Sequence, residues 1–268
     1  MKSVSKGIIR CVIDCLVFGT LSYLLLVLFT DKTFVIIEFV KSGFFTQNWF
    51  VVAYIMLLLI APIIEVSLKH VSQSQLLVWI LLLSIFNLYF GYYLGNINSN
   101  GYNVIQFVWL YYIARFLRLS IGSKWQNRLS HYGIYIYVLS SALLASIFIG
   151  ASRMGYTINS IRWFSYNNPI LMLAAISLFM WVSKMSFKSN IVNLIATGVF
   201  GVFLLHTTPY VQPYRNVFTY DIYSMYGYSG IIIESIILFV ILCVISIWVN
   251  KMNRPIINFI CCKLFTKK

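Results

Sequence analysis

The sequence predicts an all-α fold, a polytopic transmembrane helical bundle of about eight spans with its N-terminus and C-terminus cytoplasmic. Three observations carry that expectation. Charged residues make up 10% of the 268 and mean hydropathy is +0.85, against roughly 25% charge in soluble domains. The apolar residues fall in runs of about twenty, the length that crosses a ~30 Å hydrocarbon core. The charges are also placed asymmetrically between alternate connections. With eight spans and the start inside, only Lys32, Lys41, Arg153, Arg162 and Arg215 of the 20 Lys and Arg fall outside. That is the cytoplasmic bias expected of short loops.

In chain order the spans are expected near 8–29, 49–67, 77–95, 104–121, 132–151, 168–183, 191–210 and 230–250. The first run is too long for a cleavable signal, and no small-x-small site follows Leu28 and Phe29. Between the spans the loops are short except for three outer ones: 30–48, 152–167 and the tyrosine-rich 207–229. Residues 1–250 form one membrane domain, without internal repeats or a linker. The basic tail, 251–268, alternates charge with Ile256, Ile257, Phe259, Ile260, Leu264 and Phe265. It suits either a short interfacial helix on the cytoplasmic leaflet or a frayed end.

A net charge of +14 placed this way reports topology and contact with anionic membrane lipids, and no nucleic-acid partner is expected. None of the five cysteines lies in an outer loop, so no disulfide framework is implied. Cys11 and Cys15 lack companion ligands, and no metal site is expected.

Charges at membrane depth are costly and mark candidate sites. Arg10 and Asp14, four residues apart, share a helical face and can pair. Glu234 enters the last span and reads as a packing or interface residue. Arg115 and Arg118 form a cationic stripe at the inner end of the fourth span. It suits the phosphates of a nucleotide-like donor or snorkels to lipid headgroups. His206 ends the run Gly201-Val202-Phe203-Leu204-Leu205-His206 at the outer face. Its imidazole can move protons near neutral pH, or can serve as a satisfied interfacial group. His70 and His131 fall in inner loops and read as solvated.

Gly201–His206 resembles the G-(I/V)-(Y/F)-L-(I/L)-H signature near the end of the acyltransferase family 3 membrane domain. Other landmarks occur in the family's order. Asn48–Tyr54 resembles its WF…Y segment, with Ala61-Pro62 after it; Tyr111–Arg118 resembles LYLIGRYLR; Ser165–Pro169 resembles Y-(N/S)-(S/N)-P. The resemblance covers residues 6–250, and each motif alone is short and hydrophobic. Family members have about ten spans of bilayer length, and the first carries an Arg and a His central to catalysis. This chain resembles the family from its third span, with Lys6 and Arg10 like the basic cluster before it. The expectation is an N-terminally shortened member, weak or inactive as an isolated chain.

The resemblance implies O-acyl transfer, acetyl above all, in a bacterial inner membrane. The co-substrate would be cytoplasmic acyl-CoA (acetyl-CoA), with no bound cofactor. The acceptor would be a hydroxyl of a surface polysaccharide or lipid-linked glycan. His206 is then the candidate catalytic residue. Arg115 and Arg118, with Lys6 and Arg10, are candidates for holding the donor. Arg162, Trp163 and Tyr166 are candidates for the glycan, unless the outer aromatics form only an interfacial belt. Two alternatives belong to other classes: a transporter or flippase for lipid-linked glycans, and a glycan polymerase. The first would show paired broken spans, and the second a large arginine-bearing outer loop; neither feature stands out here.

Overall fold

A computed structural model describes residues 2–44, 48–186 and 188–265. Its elements are α1 (Lys2–Phe29), α2 (Ile36–Gly43), α3 (Trp49–Leu68), α4 (Gln73–Phe86), α5 (Val104–Leu119), α6 (Lys124–Arg153), α7 (Ser160–Trp163), α8 (Pro169–Ser183), α9 (Asn190–His206) and α10 (Gln212–Phe265). Helix accounts for 83%, with no strand among the described residues. Among the described residues, five helices are long and apolar enough to cross a membrane: α1, α3, α4 with its continuation to Tyr93, α6 and α10. The chain is an α-helical membrane protein. Every expected span coincides with a helix, but α5, α8 and α9 run only 16, 15 and 17 residues. At 1.5 Å per residue the longest of the three reaches about 26 Å, short of a ~30 Å hydrocarbon core.

The helices start where local chemistry allows. Ser72 and Gln75 form a reciprocal capping box on α4, and Asn103, Ser123 and Ser189 cap α5, α6 and α9. Asn168 caps α8, whose first residue is Pro169, the position where a missing N–H costs nothing.

The chain divides into two compact units, 1–58 with 188–268 and 59–187, the boundary falling within α3. In the first unit, α9 packs closely on α10 through small residues. Ser246 Oγ donates to the Gly198 carbonyl at 2.6 Å, and Asn250 Nδ2 donates to the Thr197 carbonyl at 2.7 Å. Any Cβ at Gly201 would collide with Ser246 and Phe18. In lipid, where burial of apolar surface does not drive helices together, such close approach supplies the attraction.

The segments expected to lie outside are more helical than their sequence suggests. Segment 30–48 contains α2, whose Gly43 and Ser42 press on α1; Ser42 lies where a Cβ on Gly19 would stand. Lys32 pairs with Glu38 at 2.8 Å and stands 5.9 Å from the rings of both Tyr23 and Tyr210. Its ammonium is held above the ordinary lysine value, chiefly by the hydrogen bond to Glu38.

The tyrosine-rich stretch read as a loop over 207–229 is instead helical from Gln212 and folds back at Gly227. Gly227 takes φ 62° and ψ −152°, a conformation that only glycine adopts easily. The reversal brings Thr219 Oγ1 within 3.0 Å of Glu234 Oε1, fifteen residues on. The second arm then runs unbroken through Pro255, so the tail continues the last helix rather than forming a separate interfacial one. Its residues Asn253, Ile257, Ile260 and Cys261 are its more buried face, and Asn253 lies beside Asp14 of α1. Lys267 and Lys268 lie outside the described residues.

The second unit packs α6 along α8, where a Cβ on Gly133 would strike the Ser177 carbonyl. Leu76, Ile80, Trp109, Ile113, Met172 and Met180 form its apolar core. One end is basic. Gln73 reaches Ser120 at 2.6 Å and Lys184 reaches the Asn127 carbonyl at 2.9 Å, which gathers Arg118, Lys124 and Lys184 there. At the other end α4 passes into a π-helix, Asn87–Tyr93, followed by a turn with Asn98 and Asn100 in the left-handed region.

Candidate functional site

His206 is the last residue of α9, one turn beyond Val202. Its Nδ1 lies 2.9 Å from the Val202 carbonyl. A carbonyl oxygen only accepts, so Nδ1 carries the proton in this bond and Nε2 is left as the basic nitrogen. Phe203 packs edge-on against the ring at 5.9 Å. The Gly201–His206 motif therefore has two physical jobs. Its glycine admits Phe18 and Ser246, and its histidine ends the helix at an open cavity.

That cavity, about 680 Å³, lies between α9 and the two arms of α10. His206, Arg215, Asn216, Thr219, Tyr220 and Glu234 supply its polar wall. Arg215 Nη1 donates to the His206 carbonyl at 3.3 Å and Nη2 to Asn216 Oδ1 at 3.3 Å. Glu234 accepts from Thr219. A base, a cation and a carboxylate thus share one chamber. Arg215 and Glu234 were legible in the sequence only as an outer charge and a packing residue, because their meeting depends on the turn at Gly227.

The remaining candidates lie elsewhere. Lys6 and Arg10 sit near the start of α1, whereas Phe29 at its far end lines a cavity with His206; nineteen residues of helix, about 28 Å, separate Arg10 from Phe29. Arg10 Nε stands 3.7 Å from Asp14, as their spacing predicts.

In the second unit, Arg115 is paired with Glu65 at 3.3 Å, and Tyr111 donates to the same carboxylate at 2.8 Å. The expected two-arginine stripe is thus half neutralised, leaving Arg118 exposed at the helix end. Glu65 was missed in sequence, although a carboxylate near the end of a long apolar run is itself a signal.

Arg162, Trp163 and Tyr166, neighbours in sequence, lie at the opposite end of α5 from Arg115, each with its own partner. Arg162 Nε donates to the Tyr92 carbonyl at 2.7 Å and lies over the Tyr92 ring. Trp163 spends its indole N–H on the Leu144 carbonyl at 3.1 Å, and Tyr166 meets Tyr102 edge-on. Burial pushes the Tyr166 hydroxyl to a higher pKa, so it stays a neutral phenol. Behind them is a buried amide cluster. Asn98 Nδ2 donates to Asn87 Oδ1 at 2.9 Å and to Gln106 Oε1 at 3.2 Å; Asn167 Nδ2 donates to the Asn98 carbonyl at 2.9 Å. The signal for it is the run Gly95-Asn96-Ile97-Asn98-Ser99-Asn100-Gly101, residue types that tolerate left-handed turns.

No group of three or more His, Cys, Asp or Glu suited to a metal occurs among the described residues. Fold and site define a helical membrane protein with a histidine-bearing chamber at one end of a unit. Comparison with family models, with curated proteins and with solved structures finds no match.

Proposed function

We propose that this chain is an integral membrane O-acyltransferase. It would carry an acyl group, acetyl in the simplest case, from an acyl-CoA thioester to a hydroxyl of a surface polysaccharide or lipid-linked glycan. The observation that carries the reading is His206, whose Nδ1–H is committed to the Val202 carbonyl in a ring that lines the chamber with Arg215. That leaves Nε2 to take the proton of an acceptor hydroxyl as its oxygen attacks the thioester carbon. Arg215 is the cation available to the oxygen that gains charge. Collapse breaks the C–S bond, the imidazolium returns its proton to the leaving thiolate, and ester and free thiol depart.

The reading places eight crossings in a bacterial inner membrane with both ends cytoplasmic. It is supported by the charges within each unit: Arg118, Lys124 and Lys184 share one end of the second, and Lys6, Arg10, Lys251 and Arg254 lie away from His206 in the first. Arg118 is the exposed cation for donor phosphates, since Arg115 is taken by Glu65. Arg162 and Tyr166 are the candidate glycan contacts, while Trp163 is held by the Leu144 carbonyl. The test is the purified chain in proteoliposomes with labelled acetyl-CoA and an oligosaccharide acceptor. Label should appear only weakly as O-acetyl ester and vanish in His206→Ala; ester formed equally well by the variant would remove the basis of the reading.

A further inference from the structure

The polar chamber does not stand alone. A larger one, about 1010 Å³, opens beside it between the arms of α10, walled mainly by Val211, Phe218, Ile222, Ile233, Ile237 and Ile241. His206, Arg215 and Glu234 line both. They therefore stand at the junction of a space walled by hydrocarbon and one whose wall mixes polar and apolar side chains.

The cation at this junction is the informative group. Arg215 is half-buried, and its terminal nitrogens reach only neutral oxygens. Among the described residues the ion pairs are those of Arg10, Lys32 and Arg115, so no carboxylate neutralises it within 4.0 Å. A guanidinium held against apolar walls favours an incoming anion, and its planar fork matches phosphate oxygens. Glu234 lines both spaces as well; its partner, Thr219 Oγ1 at 3.0 Å, is neutral and so does not offset its charge.

We infer that this site takes an amphiphile: a long hydrocarbon chain in the apolar chamber, its phosphate at Arg215, and the group it carries in the polar chamber beside His206. This rests on the proposed acyl transfer and narrows its acceptor to a glycan still attached to a lipid phosphate. Apolar space alone would admit any lipid tail. The cation at the rim selects an anionic head, and the histidine beside it places the carried group within reach of a base.

Farnesyl phosphate, farnesol and inorganic phosphate are the probes, with binding to the full chain read by native mass spectrometry and thermal shift. Farnesyl phosphate is expected to bind at least tenfold more tightly than farnesol, and inorganic phosphate to give no shift. Arg215→Gln should erase the tenfold preference and leave farnesol binding unchanged. Ile237→Trp should fill the chamber and weaken both chains tenfold, with Ile241→Trp as the second filling variant should the first not fold. Ile236→Trp, exposed and lining neither chamber, should bind as the parent does.

Equal binding of farnesol and farnesyl phosphate means hydrocarbon partitioning only, and overturns the inference. Phosphate binding alone, or filling variants without effect, overturns it as well. Farnesyl phosphate binding without acyl transfer in any assay sinks the enzyme reading and keeps the lipid site. Transfer to a free sugar with no farnesyl phosphate binding does the reverse.

Discussion

The polar side chains around His206 and those around Asn98 differ in charge, in the space they leave and in how far they satisfy one another. The first set holds a base, a cation and a carboxylate, and it faces about 680 Å³ of open volume. The second is neutral amide and hydroxyl, all buried: Asn87, Asn98, Gln106, Ser165, Asn167 and Asn168. Its members bond chiefly to each other and to backbone, with only Asn87 Nδ2 and Asn98 Oδ1 left over among the described residues. A buried amide that finds its partners locks one arrangement of helices. A charge left facing a cavity, with only neutral partners, keeps its charge for whatever enters. The contrast separates a site from a strut inside one chain.

Four substitutions break or sharpen that contrast. The largest effect is expected at His206→Ala, which should cut acyl transfer about 10²- to 10⁴-fold while leaving the melting temperature in detergent nearly unchanged. A parallel loss of melting temperature would make His206 a strut like the asparagines. Asn167→Leu should do the opposite. It strands the Asn98 carbonyl and Ser165 Oγ, which donates to Asn167 Oδ1 at 2.7 Å, and should cost about 1–3 kcal/mol in chemical denaturation. Unaltered stability there would show that the cluster is not structural.

Glu65→Gln comes next, at about 1 kcal/mol or less, because the pair with Arg115 is only partly buried. Donor affinity should rise if the freed Arg115 joins Arg118, and a measured fall in acyl-CoA binding would contradict the view that Glu65 neutralises it. The smallest effect is at Lys32→Met. Lys32 has a raised folded-state pKa, so its contribution is full below the ordinary lysine value of 10.5 and fades as pH rises through the higher folded value. Parent and variant stability profiles should therefore converge above pH 10.5, and a constant gap into alkali would assign the difference to packing instead.

Much of the architecture was legible in the sequence because length and hydropathy act locally. A twenty-residue apolar run in lipid has no choice but to satisfy its own backbone as a helix. The pairing of Arg10 with Asp14 one turn apart reads directly. The site was legible only as single letters. Glycine at 227 among tyrosines gives no hint that the chain reverses there, since glycine permits many conformations and tertiary packing selects one. Without that turn Arg215 and Glu234 are nineteen residues apart and unrelated.

By itself, then, the sequence determined that this is a helical membrane protein, roughly where its apolar helices run, and that His206 ends one of them. Those properties depend on composition and on neighbours within one turn. Only the tertiary structure decided which charges are spent and which are left facing space. Glu65 neutralises Arg115, the asparagines close on one another, and the fold-back at Gly227 sets Arg215 and Glu234 around His206. Those pairings join residues remote in the chain, and in a medium without water their energies depend on what each group meets in space.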